Sequence, residues 1–574
     1  MDIFNRPPTQ VPPIQDTAGY SYNDMKALVR CSLVHISLDS GDRVPYETVT
    51  YVWGSHADRA IIELEGIRVE VPSSSEAVLR RVRSPSDDRM IWIDAICINQ
   101  HDLVERGQQV NMMSAIFQGG AGNLIHLGDS RSADVVALAL GSLRLVLQDI
   151  EEEANDQQRQ LCEMMYDEEG VYRALSSSKS AVPTTEDEDN ILGLFSLAWF
   201  RRLWVLQEAA LSVRNTCMGH DSEFELRDVL RVAAWIGLRG QDGSARSLTE
   251  SPGRASAAQM FDIVDRDDGF YVRGRDTASL SLVDALDIGR QLETTQPQDN
   301  IFALRGLLAD SIARYPHLAR LVMADYTKLL WQVMCDATRF AICESGDLYP
   351  LQFISHRHNS EVEHDMPSWA IRAERPFDVT QDPRALFGHF QASGSRGIDP
   401  LELSDTRYSR VLRLSGVVVD RITNVGQPIG SALWDIARDL EDALEATKVQ
   451  FANTDPLLLT DALLAGANVK LEHGLDFSKV LTASPDAPST LFRSTLRKAS
   501  RCRRLFSTAT GKIGIGPRSL QPGDMIVILF GGKVPFCLRE AQNDYLFLGQ
   551  AYVKDIMGGE AVSKDTVPRT FDVI

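Results

Sequence analysis

Cysteine is scarce in this chain: eight residues in 574, and no CxxC pair among them. Cys31, Cys97, Cys162, Cys217, Cys335, Cys343, Cys502 and Cys537 are expected to be scattered reduced thiols, which excludes a disulfide-stapled secreted scaffold. Long apolar runs are missing too. No stretch reaches the ~18–20 uninterrupted apolar residues that a membrane-crossing helix needs. The opening MDIFNRPPTQVPPIQ is proline-rich and lacks the basic-then-apolar order of a secretory signal. Bases are outnumbered, with 59 Lys and Arg against 79 Asp and Glu, a net charge of −20. Non-specific nucleic-acid binding and docking on anionic lipid both rest on clustered cations, so both are excluded. These absences lead us to expect a cytoplasmic protein without a membrane span.

What is present is an ordinary globular composition, 44% hydrophobic and 24% charged. A chain of this length exceeds one hydrophobic core, so several domains are expected. Residues 1–45 read as an extended lead-in, with a short alternation at Leu33–Leu38 suggesting an early strand. From Tyr46 the pattern turns strand-rich. YETVTYVWG stops at Gly54, and residues 60–71 resemble a hairpin turning at Glu65-Gly66. Ser73-Ser74-Ser75-Glu76 opens a helix ending near Arg83. MIWIDAICI, residues 90–98, is a near-continuous apolar run interrupted by Asp94, as in a strand covered on both faces. A helix from Asp102 to about Phe117 and a strand at residues 123–128 complete a strand–helix–strand unit of βαβ spacing.

These elements predict an α/β domain over residues 46–210, built on a small parallel sheet with flanking helices. It carries an acidic insertion at 149–190 and closes with one strongly apolar helical segment at 191–211. Residues 211–400 read as mainly helical, with polar or glycine-rich breaks around 239–245 and 293–300. Residues 401–574 read as a β-rich subdomain with helical insertions around 430–450 and 455–467. Turn signals there are Gly416, Pro522-Gly523 and Gly531-Gly532.

Ligands collect beyond the carboxyl ends of strands in an open parallel sheet. That edge is expected to carry Trp53, Gly54, Ser55 and His56 from the first strand. Asn99, Gln100 and His101 come after the second, with Glu105 one turn into the next helix. An aromatic face, a glycine for close approach, amides and one carboxylate suit a polar ligand such as a nucleotide. The same residues have a plainer reading, because Asp102-x-x-Glu105 has the spacing of a helix capping box. Cys97 reads as a buried packing thiol rather than a nucleophile. Asp94, inside an apolar run, requires a partner, for which Arg201 or Arg202 is the candidate.

Other clusters are weaker. His356, His358, Glu361, Glu363, His364 and Asp365 match no metal spacing and read as a polar loop. Gly511–Gly516 reads as a turn between strands. Arg493, Arg497, Lys498, Arg501, Arg503 and Arg504 read as an exposed helix face. No metal or other cofactor is expected.

Four motifs resemble, in content, order and spacing, those of the fungal HET (heterokaryon incompatibility) domain. They are Tyr51-Val-Trp53-Gly54; Trp92-Ile-Asp94-Ala-Ile-Cys97-Ile98-Asn99-Gln100 with Glu105-Arg106; Ile125-His-Leu127-Gly128; and Trp199-Phe-Arg-Arg202-Leu-Trp204-Val-Leu-Gln207-Glu208. Asp299-Asn300, Asp325-Tyr326, Pro367-Ser368-Trp369 and residues 532–560 resemble features of the family's larger members. Val49 and Thr50 depart from the commoner Leu-Ser form of the first motif. The resemblance implies a signalling or interaction module in vegetative incompatibility, non-self recognition and regulated cell death. Its partners would be other proteins of that pathway or further copies of itself. Asp94, Cys97, Arg106, Arg202, Trp204, Gln207 and Glu208 would be its structural motif residues. It also implies an alternative through a distant TIR-like fold: NAD as substrate, cleaved with Glu105 as the catalytic carboxylate, and Trp53, Gly54, Ser55, Asn99 and Gln100 as ligand contacts.

Overall fold

The structure is a computed structural model. It describes residues 10–11, 14–16, 28–38, 44–55, 57–84, 87–128, 130–157, 182–219, 222–239, 251–264, 280–356, 358–362, 366–373, 387–398, 410–429, 454, 456–466, 499–563 and 565–574. His56, Glu363, His364, Asp365, Arg493, Arg497, Lys498, the core of the acidic insertion and the 430–450 stretch lie outside these. The chain divides into two compact units, Met1–Lys328 and Leu329–Ile574.

The first unit is built on a mixed sheet of nine strands. In chain order they are β1 (Ile14–Asp16), β2 (Arg30–Leu33), β3 (Glu47–Thr50), β4 (Arg59–Leu64), β5 (Ile67–Pro72), β6 (Met90–Trp92), β7 (Asn123–His126), β8 (Asn215–Met218) and β9 (Glu223–Glu225). Their lateral order is β9-β8-β7-β3-β6-β1-β2-β4-β5. The expected small parallel sheet is its centre: β8, β7, β3 and β6 run parallel, with β3 flanked by β7 and β6. Antiparallel pairings extend it on both sides, β9 on β8 and β1 on β6, and β8 and β9 lie beyond the strand–helix–strand unit expected from the sequence. The β4–β5 hairpin turns at Glu65 and Gly66, both in the left-handed region at φ 52 and 77.

Helices cover the sheet: α1 (Ser73–Val82), α2 (Leu103–Gly119), α3 (Ser130–Gln157), α4 (Thr185–Phe195), α5 (Val205–Leu211), α6 (Leu226–Arg239), α7 (Pro252–Val264) and α8 (Leu282–Gly289). Asp102 caps α2, its carboxylate accepting from the amides of Val104 and Glu105 at 2.9 and 3.1 Å. Thr184 and Ser281 cap α4 and α8 in the same way.

Two expectations need correction. The apolar run at 90–98 is not one strand. It ends at Trp92, and Asp94–Cys97 forms a helical turn started by the Asp94 carboxylate, which accepts the Ala95 amide at 2.7 Å. Nor is 191–211 one helix. α4 stops at Phe195, Ala198–Arg201 forms a tight 3-10 turn, and α5 begins at Val205. The break is held open from outside: Leu203 donates to the Glu293 carbonyl at 3.0 Å and Glu293 donates to the Arg201 carbonyl at 2.6 Å.

The second unit is β-rich, with helix α9 (Leu330–Ser345) ending at the left-handed Gly346, φ 68. Its strands are β10 (Leu412–Val425), β11 (Arg503–Thr508), β12 (Ile513–Pro517), β13 (Met525–Leu529), β14 (Phe536–Ala541), β15 (Asp544–Gln550), β16 (Tyr552–Val553) and β17 (Arg569–Val573). Their order is β13-β14-β15-β17-β10-β11-β12-β16, and a further β10–β13 pairing closes five of them into a ring. A single 14-residue strand makes this possible. β10 pairs with β17 through Leu412–Gly416, with β13 through Gly416–Arg421 and with β11 from Ile422 onward. Gly416 sits at the changeover, where a Cβ would lie 2.4 Å from the Ile528 carbonyl oxygen. Arg503 and Arg504 lie on β11, not on the helix face expected of them. Likewise His356 does not belong to an exposed loop. It is buried, and its Nε2 lies 3.1 and 2.9 Å from the carbonyls of Ser368 and Phe547.

Candidate functional site

The carboxyl ends of β3 and β6 lie side by side, so the segments leaving these two strands meet at one edge. Half-buried Trp53 donates from its indole to Asp94 Oδ2 at 2.9 Å. Ser74, at the start of α1, donates to the Trp53 carbonyl at 2.7 Å. The Tyr51 hydroxyl is 2.7 Å from Ser75 Oγ, and Gln100 reaches the Asp94 carbonyl at 3.3 Å. Asp94 thus has the partner that its place in an apolar run demands. That partner is Trp53, seconded by the charge of Arg202. Burial raises the Asp94 carboxyl above the usual range, and Arg202 and the Trp53 indole oppose the rise. Arg201 turns elsewhere, to Glu293 at 3.6 Å.

The 3-10 turn and α5 bring a second layer onto this edge. Arg202 donates to the Tyr51 carbonyl, and the Thr50 hydroxyl donates to the buried Glu208 carboxylate. Trp199 points its indole N–H at Thr50 Oγ1, 3.4 Å away. Burial pushes Glu208 up to about 7; Arg202 and Thr50 pull against that, and Asp94 adds to it. Gln207, also buried, accepts the Gly306 amide at 3.1 Å.

A third carboxylate comes from beyond the four motifs. Asp299 accepts from the Tyr326 hydroxyl at 2.7 Å and from the Trp204 indole at 3.2 Å. Arg106 stands 3.7 Å from its Oδ2 and stacks 3.7 Å from the Tyr326 ring centroid. Burial raises the Asp299 carboxyl, with Tyr326, Arg106, Trp204 and Arg202 opposing. Arg202 is therefore felt by all three acids.

The structure thus joins Trp53, Asp94 and Gln100, and joins Arg202, Trp204 and Glu208 to them through Tyr51, Thr50 and Asp299. Through Gln100 the Asn99–Glu105 loop reaches the same Asp94 that holds Trp53. Glu105 accepts the Asn99 amide at 3.2 Å, and Asn99 Oδ1 accepts the His101 amide at 3.2 Å, so these groups close their own loop. Asp102 caps α2, and Glu105 in its first turn accepts the Asn99 amide of the loop before it. Gly54 is left-handed at φ 73, with open space where a Cβ would stand. Ser55 accepts the Ala57 amide at 3.2 Å in an exposed turn. Cys97 is buried, 2% exposed, as a packing thiol. Thr50 and Ser75 give no signal in the sequence, since a hydroxyl becomes informative only once its partner is known. Among the described residues no group of three or more His, Cys, Asp or Glu is placed to hold a metal ion, and no helix is long and apolar enough to cross a membrane.

Residues 46–208 match the family model described as heterokaryon incompatibility protein (HET), so this edge and its two layers lie in a HET domain. Residues 475–571 match a second model, the Het-6 beta-barrel domain, in the region of the ring of strands. The chain is similar to "Heterokaryon incompatibility protein 6, OR allele" of Neurospora crassa, 22% identical over 91% of this chain and 90% of that protein. No solved structure matches. None of these similarities is to a TIR domain or to a nucleotide-cleaving enzyme, and the expectation of NAD cleavage by Glu105 gains no support from them.

Proposed function

We propose that the chain acts in fungal heterokaryon incompatibility, its HET domain serving as a protein-interaction module whose engagement leads to growth arrest and cell death. The carrying observation is that one incompatibility protein aligns along nine-tenths of both chains, through the HET and the barrel regions alike. Half-buried Asp94, buried Glu208 and Asp299, and Arg202 then hold the shape of the edge, and its exposed rim meets the partner. That rim includes Gly54, Ser55, His101 and Asp102, and next to them Leu103 and Val104, 45% and 60% exposed at the first turn of α2. Two adjacent apolar side chains in such a position fit a protein partner better than a small polar ligand.

Inducible expression of the full chain in a filamentous fungus tests this reading, with hyphal growth and membrane integrity tracked over time. Arrest is expected for the natural sequence. Leu103→Asp with Val104→Asp is expected to abolish it at equal protein level and unchanged fold, because acids in a helix's first turn do not weaken the helix. Undiminished growth with the natural chain would refute the incompatibility role. Arrest that survives the double substitution would refute the rim as its interface.

A further inference from the structure

The match to the HET family stops at Glu208, yet the contacts that hold the edge do not. Residues 289–328 return to the domain at five places. The 202–203 segment is bridged to Glu293. Asp299 takes Trp204 and Arg106. Gly306 donates to Gln207. Arg305 donates to the Asn111 carbonyl at 3.1 Å. The Asn111 side chain makes a reciprocal pair with Ala324, donating at 3.1 Å and accepting at 2.9 Å.

Close approach is built in on both sides of this seam. A Cβ on Gly107 would lie 2.9 Å from the Ala324 carbonyl oxygen, and one on Gly306 2.7 Å from Gln207 Oε1. A Cβ on Gly289 would meet Leu203 at 2.6 Å. Glycines at three matching positions of a seam mark a permanent fit rather than a passing contact.

We infer that the working HET unit of this chain runs to Lys328, and that Asp299, from outside the matched segment, is a positioning residue of the sheet-edge site. Its Oδ2 meets both Trp204 at the start of α5 and Arg106 on α2, its Oδ1 takes the Tyr326 hydroxyl, and the charge of Arg202 acts on it. Through Arg202 it bears on Tyr51, Asp94 and Glu208. Further cations sit on the elements packed against α5: Arg106 on α2, Arg305, which donates to the Asn111 carbonyl, and Arg254 on α7, which donates to the Ala233 carbonyl at 3.3 Å. At Glu208 the Arg202 charge pulls the carboxyl down and the Asp94 charge pushes it up, and Arg202 pulls on Asp299 as well.

The inference rests on the incompatibility reading for its biological readout only. The test uses the full chain with Asp299→Asn, Asp299→Ala and Tyr326→Phe. Amide exchange in α2 and α5 should quicken about tenfold or more in Asp299→Ala and less in Tyr326→Phe, while β10–β17 stay unchanged. Asp299→Asn keeps the shape and removes a negative charge near Arg202. The pH at which Glu208 titrates should then fall by about half a unit or more, which a merely space-filling residue would not cause. Growth arrest should be lost in Asp299→Ala. Should Asp299→Ala not fold, Asp299→Asn and Tyr326→Phe carry the test. Unaltered exchange in α2 and α5 together with an unmoved Glu208 titration would overturn the inference. If the natural chain itself causes no arrest, the functional reading fails, and the exchange and titration results still decide the place of Asp299.

Discussion

Glu208 offers the sharpest measurable consequence of the buried edge. Its carboxyl is held at about 7 in the folded chain against an ordinary 4.5, so the folded state binds the extra proton between those values. A raised folded-state value means that stability is fully present below about 4.5 and is lost as the pH climbs through about 7. At ~1.4 kcal/mol per unit, the 2.5 units between 4.5 and about 7 amount to roughly 3 kcal/mol for this one group. Asp94 and Asp299 are raised in the same sense and add to the slope without changing its sign. Glu208→Gln keeps an oxygen for the Thr50 hydroxyl and has no proton to lose. Urea unfolding of both proteins from about pH 4.5 to 8 isolates the effect, because the second unit cancels in the difference. The variant is expected to gain on the natural chain by up to about 3 kcal/mol as the pH rises. Parallel curves across that window would refute the account of Glu208 as the proton-holding member of the cluster.

Two further outcomes rest on single contacts. Gly253→Ala would place a methyl 1.9 Å from the Phe195 carbonyl oxygen, a clash of backbone with backbone. A loss of at least ~3 kcal/mol in a urea melt is expected, the upper end of overpacking costs, and a loss under about 1 kcal/mol would show that the α4–α7 seam yields. Burial pulls His356 down to about 4, so the folded unit keeps it neutral while the unfolded chain takes a proton near 6.5. The stability it contributes is complete above 6.5 and disappears as the pH falls toward 4, whereas in His356→Gln, which cannot titrate, that part of the acid limb should be missing.

Much of the N-terminal layout is legible because it is written in local signals. Asp102 capping α2, the Glu65-Gly66 turn and the β3, β6 and β7 strands each arise from a few consecutive residues. Asp94 stands out as needing a partner because a carboxylate in an apolar run is costly, and Arg202 is a cation within reach of it. What stays hidden depends on residues far apart in the chain. The break at 196–204 has no breaker residue of its own, since it is held by Glu293. Thr50 reveals itself only through Glu208, and Asn111 only through Ala324. Glu105 is ambiguous for the converse reason: its spacing fits both a capping box and a pocket, and in the structure its carboxylate accepts the Asn99 amide.

The ring in the second unit sets an order of events on folding. β10 is made about 150 residues before its neighbour β17, yet the circle shuts only when Leu412–Gly416 lies against Arg569–Val573. During synthesis the long strand must therefore wait with one flank unpaired, a slow and association-prone arrangement. A nascent chain halted anywhere short of residue 569 would present that open flank to its surroundings, and would depend on holding factors until the closing strand emerged.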